Sequence, residues 1–192
     1  MNTLFLASSK VLPSVLLPAY DLTVALRHQP MPVTGGFHTS LERECLEILL
    51  RGTVPVTICP ARTFDPASDR LYNDHPKVWK AVKGGMAEGR VTILEPPGMA
   101  ARRPTKASSA RRNDWLLEQA GAVLLLYASP GGETERLVQA ALERGLPVSV
   151  LDHPANARWH DLGARVWQGS STRMTPTKMG GDCRGGSPGC CP

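Results

Sequence analysis

The stretch AVLLLYASPGGETERLVQAALERGLPVSVL, residues 122–151, decides the fold class. Its first six residues, Ala122–Tyr127, are a nearly unbroken apolar run. That is how a strand buried on both faces of a parallel sheet reads, whereas a half-exposed strand would alternate. Ser129-Pro130-Gly131-Gly132 then breaks the pattern. Glu133–Arg144 returns apolar residues at helical spacing, and Gly145 stops the helix. Pro147–Leu151 is a second apolar run. Strand, glycine loop, helix and strand in that order call for a right-handed crossover between parallel neighbours.

The same alternation extends towards the N-terminus. Leu4–Ala7, Pro32–Gly35, Val54–Cys59 and Val91–Leu94 read as further strands. Helices are expected over Pro13–Arg27, Leu41–Arg51, Lys77–Ala87 and Ser109–Gln119, the prolines of the first suiting an irregular start better than a helix interior. Thr39 and Glu42 stand in capping-box spacing at the start of the second, and Gly52 ends it. The fold class expected is α/β: a single doubly wound, mostly parallel, Rossmann-like sheet with helices on both faces, covering residues 1–167. From about Trp167 the composition turns to Gly, Ser, Thr, Pro and Cys. Residues 168–192 are expected to be a disordered tail.

At 192 residues, 42% hydrophobic and 20% charged, the chain has the composition of an ordinary globular domain. No run approaches the roughly 20 apolar residues of a membrane helix. The opening MNTLFLASSK has no basic residue before its apolar part, and Lys10 cuts that part short, so it reads as a first strand of a cytoplasmic protein with no membrane partner. The five cysteines are odd in number and lack paired zinc spacing. Cys45 and Cys59 read as small buried hydrophobes, and neither a metal nor a cofactor is assigned. The net charge of +5 and pI near 9.1 lean towards polyanionic partners. Arg102, Arg103, Lys106, Arg111 and Arg112 concentrate that charge in one stretch.

Ligands of open α/β sheets bind beyond the carboxyl ends of the strands. Three loops expected there suit anions. Thr34-Gly35-Gly36-Phe37-His38-Thr39-Ser40 brings paired glycines to a helix N-terminus, where backbone can approach a ligand and N–H groups are open. Ser129-Pro130-Gly131-Gly132-Glu133-Thr134 repeats the design with two hydroxyls. Arg111, Arg112 and Asn113 are expected in the first turn of the Ser109–Gln119 helix. Cations there oppose the helix dipole by up to about 1 kcal/mol each, so an anion shared with the glycine loops would explain them better than helix stability does. A lone Gly-Gly is commonly just a turn, and an arginine run commonly a solvated face. Their coincidence at strand ends is what marks a site. Neither G-x-G-x-x-G nor a Walker lysine motif is present.

At these loops the chain resembles the DprA (Smf) family of DNA-processing proteins and the wider Rossmann-like superfamily that includes the LOG enzymes. Ala7-Ser8-Ser9-Lys10 takes the place of the family's Gly-Ser-Arg turn. Gly35-Gly36-Phe37-His38-Thr39-Ser40 resembles its Ser-Gly-x-Ala-x-Gly loop. Arg111-Arg112-Asn113, with Ala120-Gly121-Ala122-Val123 beyond, resembles its Arg-Asn-Arg helix and next strand, and Gly145-Leu146-Pro147-Val148 its Gly-Lys-Pro-Val turn. The first turn lacks the family's glycine, and Phe-His-Thr-Ser replaces its Arg-Gly pair.

The resemblance implies binding of single-stranded DNA or a nucleotide, a role in DNA uptake and recombination, RecA as a partner and a homodimer. It places phosphates against Ser8, Ser9, Lys10, Gly35, Gly36, His38, Ser40, Arg111, Arg112 and Asn113, and on the second loop against Ser129, Gly131, Gly132 and Thr134. The basic stretch from Arg102 would guide the strand. Phe37 and Trp115 are the nearest aromatics for base stacking, although Trp115 reads more readily as core.

An enzymatic alternative rests on Pro130-Gly131-Gly132-Glu133-Thr134-Glu135, which resembles the LOG phosphoribohydrolase motif without the glycine before its threonine. It would use Glu135 with Arg111 or Arg112 to cleave the N-glycosidic bond of a nucleoside monophosphate. A nucleotide sensor without turnover is a third reading.

Overall fold

The computed structural model describes residues 2–67, 71–72 and 74–169. The tail expected over residues 168–192, with Cys183, Cys190 and Cys191, lies outside them from residue 170 onward. The apolar runs form strands β1 (Thr3–Ala7), β2 (Val33–Gly35), β3 (Val56–Ile58), β4 (Val91–Ile93), β5 (Ala122–Tyr127) and β6 (Val148–Val150). Between them run α1 (Pro13–Leu26), α2 (Ser40–Leu50), α3 (Pro76–Ala87), α4 (Lys106–Gln119) and α5 (Glu133–Glu143). After β6 come a 3₁₀ turn at Pro154–Asn156, a short α6 (Ala157–Asp161) and β7 (Arg165–Val166), none of which the sequence pattern announced.

The sheet order is β4-β3-β2-β1-β5-β6-β7, and every pairing among the described strands is parallel. The domain is therefore a doubly wound α/β sheet. Its central strands supply both faces by alternation. Phe5, Ala7, Leu124 and Leu126 join a core with α1, α2 and α3, while Leu4, Leu6, Val123 and Leu125 join another with α4, α5 and α6. Cys45 and Cys59 are buried free thiols, as read from the sequence, and burial pushes each up to about 12. No described helix is long and apolar enough to cross a membrane.

Two helices differ from expectation. Pro18 lies inside α1, where its missing N–H forgoes a helical bond. The buried row Val15, Ala19, Leu22 and Leu26 holds the helix to the sheet regardless. The second difference concerns α4. It begins at Lys106, three residues before the expected Ser109, because Thr105 and Ser108 form a capping box in which each side chain meets the other's backbone N–H. Arg111, Arg112 and Asn113 thus fall in the second turn, and the dipole argument made for them does not apply. Thr105→Ala is expected to lower stability by about 1 kcal/mol, with Ser109→Ala costing much less. Urea denaturation of both variants checks where the helix starts.

Candidate anion-binding crevice

Strand order reverses between β1 and β5. β1 passes its chain towards β2 on one side, and β5 passes its chain towards β6 on the other. Such a switch point opens a crevice above the strand ends. Here the two ends are stitched together: Ser8 N–H donates to the Tyr127 carbonyl at 2.9 Å, and Ser129 N–H donates to Ser8 Oγ at 2.9 Å. The β1–β5 register also slips, pairing Leu6 with Leu125 but Ala7 with Tyr127. Such an irregularity at a strand end redirects backbone groups, and Ala7 N–H donates to the Glu42 carboxylate at 3.1 Å.

Glu42 was read from the sequence only as a helix cap. It is far more than that. The residue is 2% exposed, and besides Ala7 its carboxylate accepts the backbone N–H groups of His38 at 3.0 Å and Thr39 at 3.4 Å. Burial works against its ionisation. His38, the Ala7 N–H and the charge of Arg112 outweigh that and hold the carboxyl below the usual range. The N–H groups of His38 and Thr39, just before α2, are therefore already satisfied by an internal anion. The Gly35–Ser40 loop, expected to cradle a ligand, cradles Glu42 instead.

Arg112 is the counterpart. It is 1% exposed, and its guanidinium donates to Asn113 Oδ1 at 2.8 and 3.0 Å and to the Cys59 carbonyl at 3.4 Å. Burial lowers its affinity for the proton, and Glu42 heads the neighbours that oppose the loss. A Cβ built on Gly36 would lie 2.2 Å from Arg112 Nη1. Glycine stands at that position because the guanidinium packs on its backbone. His38 Nδ1 lies 3.2 Å from both Arg112 Nη2 and Glu42 Oε2. It can accept from the arginine or donate to the carboxylate, and one proton cannot serve both.

The other wall is the start of α5. Its N-cap, Gly132, makes no side-chain capping bond; Glu135 accepts from the Gly131 N–H before the helix, but among the described residues no side chain accepts from the first-turn N–H groups themselves. The crevice, about 120 Å³, gathers Ser8, Ser9, Gly36, His38, Arg112 and Asn113 with Ser129, Gly132 and Thr134. Glu42, read from the sequence only as a cap, and Glu133, read only as part of the second loop, also line it. Glu133 accepts from Asn113 at 3.4 Å and from Arg136 at 2.6 Å; the Arg136 hydrogen bond is the main cause holding its carboxyl below the usual range.

Several expected residues lie elsewhere. Lys10 is exposed beside the opening, Gly35 is buried in β2, and Ser40 is exposed at the start of α2. Arg111 points away, donating to the carbonyls of Pro97 at 2.7 Å and Gly98 at 3.1 Å. Glu135 accepts from Gly131 N–H and pairs with Arg158. The structure thus does not bring Glu135 and Arg111 together, and neither lines the crevice. Phe37 is fully buried against Phe5, with ring centroids 5.9 Å apart, and Trp115 packs beside the second core, so neither serves the crevice as a stacking platform. Among the described residues no group of three His, Cys, Asp or Glu side chains could hold a metal.

No protein-family model matches the chain, and no curated protein matches it. Its fold does have counterparts among solved structures. DNA processing protein A (DprA) from Streptococcus pneumoniae superposes with a TM-score of 0.62 at 13% identity, covering 86% of this chain and 58% of that one. This chain has the DprA fold. DprA from Helicobacter pylori, described by its single-stranded DNA binding mode, gives a TM-score of 0.59 at 15% identity over 81% of this chain and 67% of that one. This chain therefore spans little more than half the length of the pneumococcal DprA.

Glu42→Gln is expected to lower unfolding free energy at pH 7 by about 3 kcal/mol, since it leaves Arg112 buried without its counter-charge. Because the folded-state carboxyl titrates below its unfolded value, its contribution is present above the unfolded pKa and lost as pH falls through the folded one. Denaturation curves should therefore separate wild type and variant at pH 7 and converge in acid. A constant difference across that range would contradict the ionised state.

Proposed function

We propose that this domain binds single-stranded nucleic acid by its phosphates, one phosphate sitting at the uncapped N-terminus of α5. One observation carries the reading: α5 presents its open first turn to the same crevice that holds the buried Arg112 guanidinium. Hydroxyls of Ser9, Ser129 and Thr134 line the same space and supply further donors. Helix N-termini favour anions through both free N–H groups and the dipole. The DprA fold supports DNA as the polymer, given that the H. pylori protein is described as binding single-stranded DNA.

In this reading the exposed Arg102, Arg103 and Lys106 attract the strand, and the crevice positions it. DNA processing in uptake and recombination, a cytoplasmic setting, a homodimer and transfer of the strand to RecA belong to the proposal through the resemblance alone.

Thr134→Glu puts a carboxylate in the first turn of α5. It should leave the fold intact, because an acidic residue suits that helix position, while repelling a phosphate. Fluorescence anisotropy with a labelled single-stranded oligonucleotide should show affinity at least tenfold weaker than wild type, and wild-type affinity falling steeply with added salt. Unchanged affinity in the variant would remove the phosphate from α5.

A further inference from the structure

A second and larger hollow adjoins the crevice. It encloses about 460 Å³, within the roughly 300–1,000 Å³ typical of small-molecule sites, and shares Gly36, His38 and Arg112 with its neighbour. We infer that this groove is a nucleobase pocket, taking the base of the nucleotide whose phosphate lies at α5. The inference rests on the phosphate reading above and extends it from a backbone contact to a whole nucleotide.

The two hollows differ in chemistry in the sense a nucleotide requires. The crevice is small, with a helix N-terminus and hydroxyls. The groove is broader and has an apolar floor of Ile58, Pro60, Ala61 and Leu71, with Asp74 at its edge. The Asp74 carboxylate can accept hydrogen bonds from the amino groups of a base. Arg43 and Arg62 line the groove as well. A guanidinium is flat and can lie on a base face. Arg43 Nε is buried without a hydrogen-bond partner among the described residues.

Backbone strain gathers at the same place. Among the described residues the non-glycine positions with positive φ are Phe37 at 46° and Tyr72 at 63°, and both line this groove. Such conformations are strained and cluster at ligand clamps. Phe37 is held by its stacking on Phe5. Tyr72 has a turn bond, its carbonyl accepting from His75 N–H at 2.8 Å, and its side chain, packed against the first core, lines the groove.

The test compares two single strands of equal length, one with bases and one with an abasic backbone, titrated by anisotropy. Wild type should bind the base-containing strand about tenfold more tightly, a preference of the size expected for one stacked base. Ser109→Trp, which fills the groove from the α4 side, and Tyr72→Ala, which removes its aromatic wall, should each erase that preference and leave affinity for the abasic strand unchanged. Equal affinities in wild type, or a preference that survives both variants, would overturn the base pocket while leaving the phosphate reading standing. If neither strand binds wild type, the phosphate reading itself fails and the pocket with it.

Discussion

The buried carboxylate of Glu42 organises the ligand end of this domain. Three backbone N–H groups from two segments converge on it: Ala7 at the end of β1, and His38 and Thr39 before α2. A carboxylate so enclosed must be compensated, and here the compensation comes from N–H donors and from cations nearby. That requirement brings Arg112 inward from the second turn of α4, and the guanidinium in turn leaves no room for a side chain at Gly36. One ionised group thereby fixes how β1, the β2–α2 loop and α4 meet.

That arrangement decides which helix end is open. Glu42 and Arg112 favour each other's charged forms, and Arg136 pairs with Glu133. The crevice is therefore not a simple well of positive charge. In the proposed reading, an anion would be held there by the N–H groups of α5 and by the guanidinium and hydroxyl donors beside them. In the same reading, long-range attraction would fall to the exposed cations of residues 102–106, outside the crevice. Capture and positioning are thus assigned to different residues, so a change in either should leave a distinct signature in rate or in complex stability.

The doubly wound sheet was legible because an inner strand, Ala122–Tyr127, is apolar on both faces, and because Gly52 and Gly145 punctuate the helices. The two-residue β7 has no apolar run to announce it. The start of α4 was missed because its capping box uses Ser108 where the familiar pattern has Glu or Gln. At the site, the loops were found but their division of labour was not. Arg111 and Arg112 are neighbours in sequence and about 100° apart around a helix. One therefore bonds surface carbonyls while the other enters the core. Glu42 carries the spacing of an ordinary cap, and nothing local reveals that Ala7, 35 residues away, completes its coordination.

The most direct test is amide chemical-shift mapping of the ¹⁵N-labelled protein titrated with a short single-stranded oligonucleotide. The account predicts that the largest shifts fall on Gly132, Glu133 and Thr134, with Arg112 Nε moving alongside them. His38 and Thr39, whose N–H groups already serve Glu42, should move less. Shifts centred on the start of α2, or confined to residues 102–106, would contradict it.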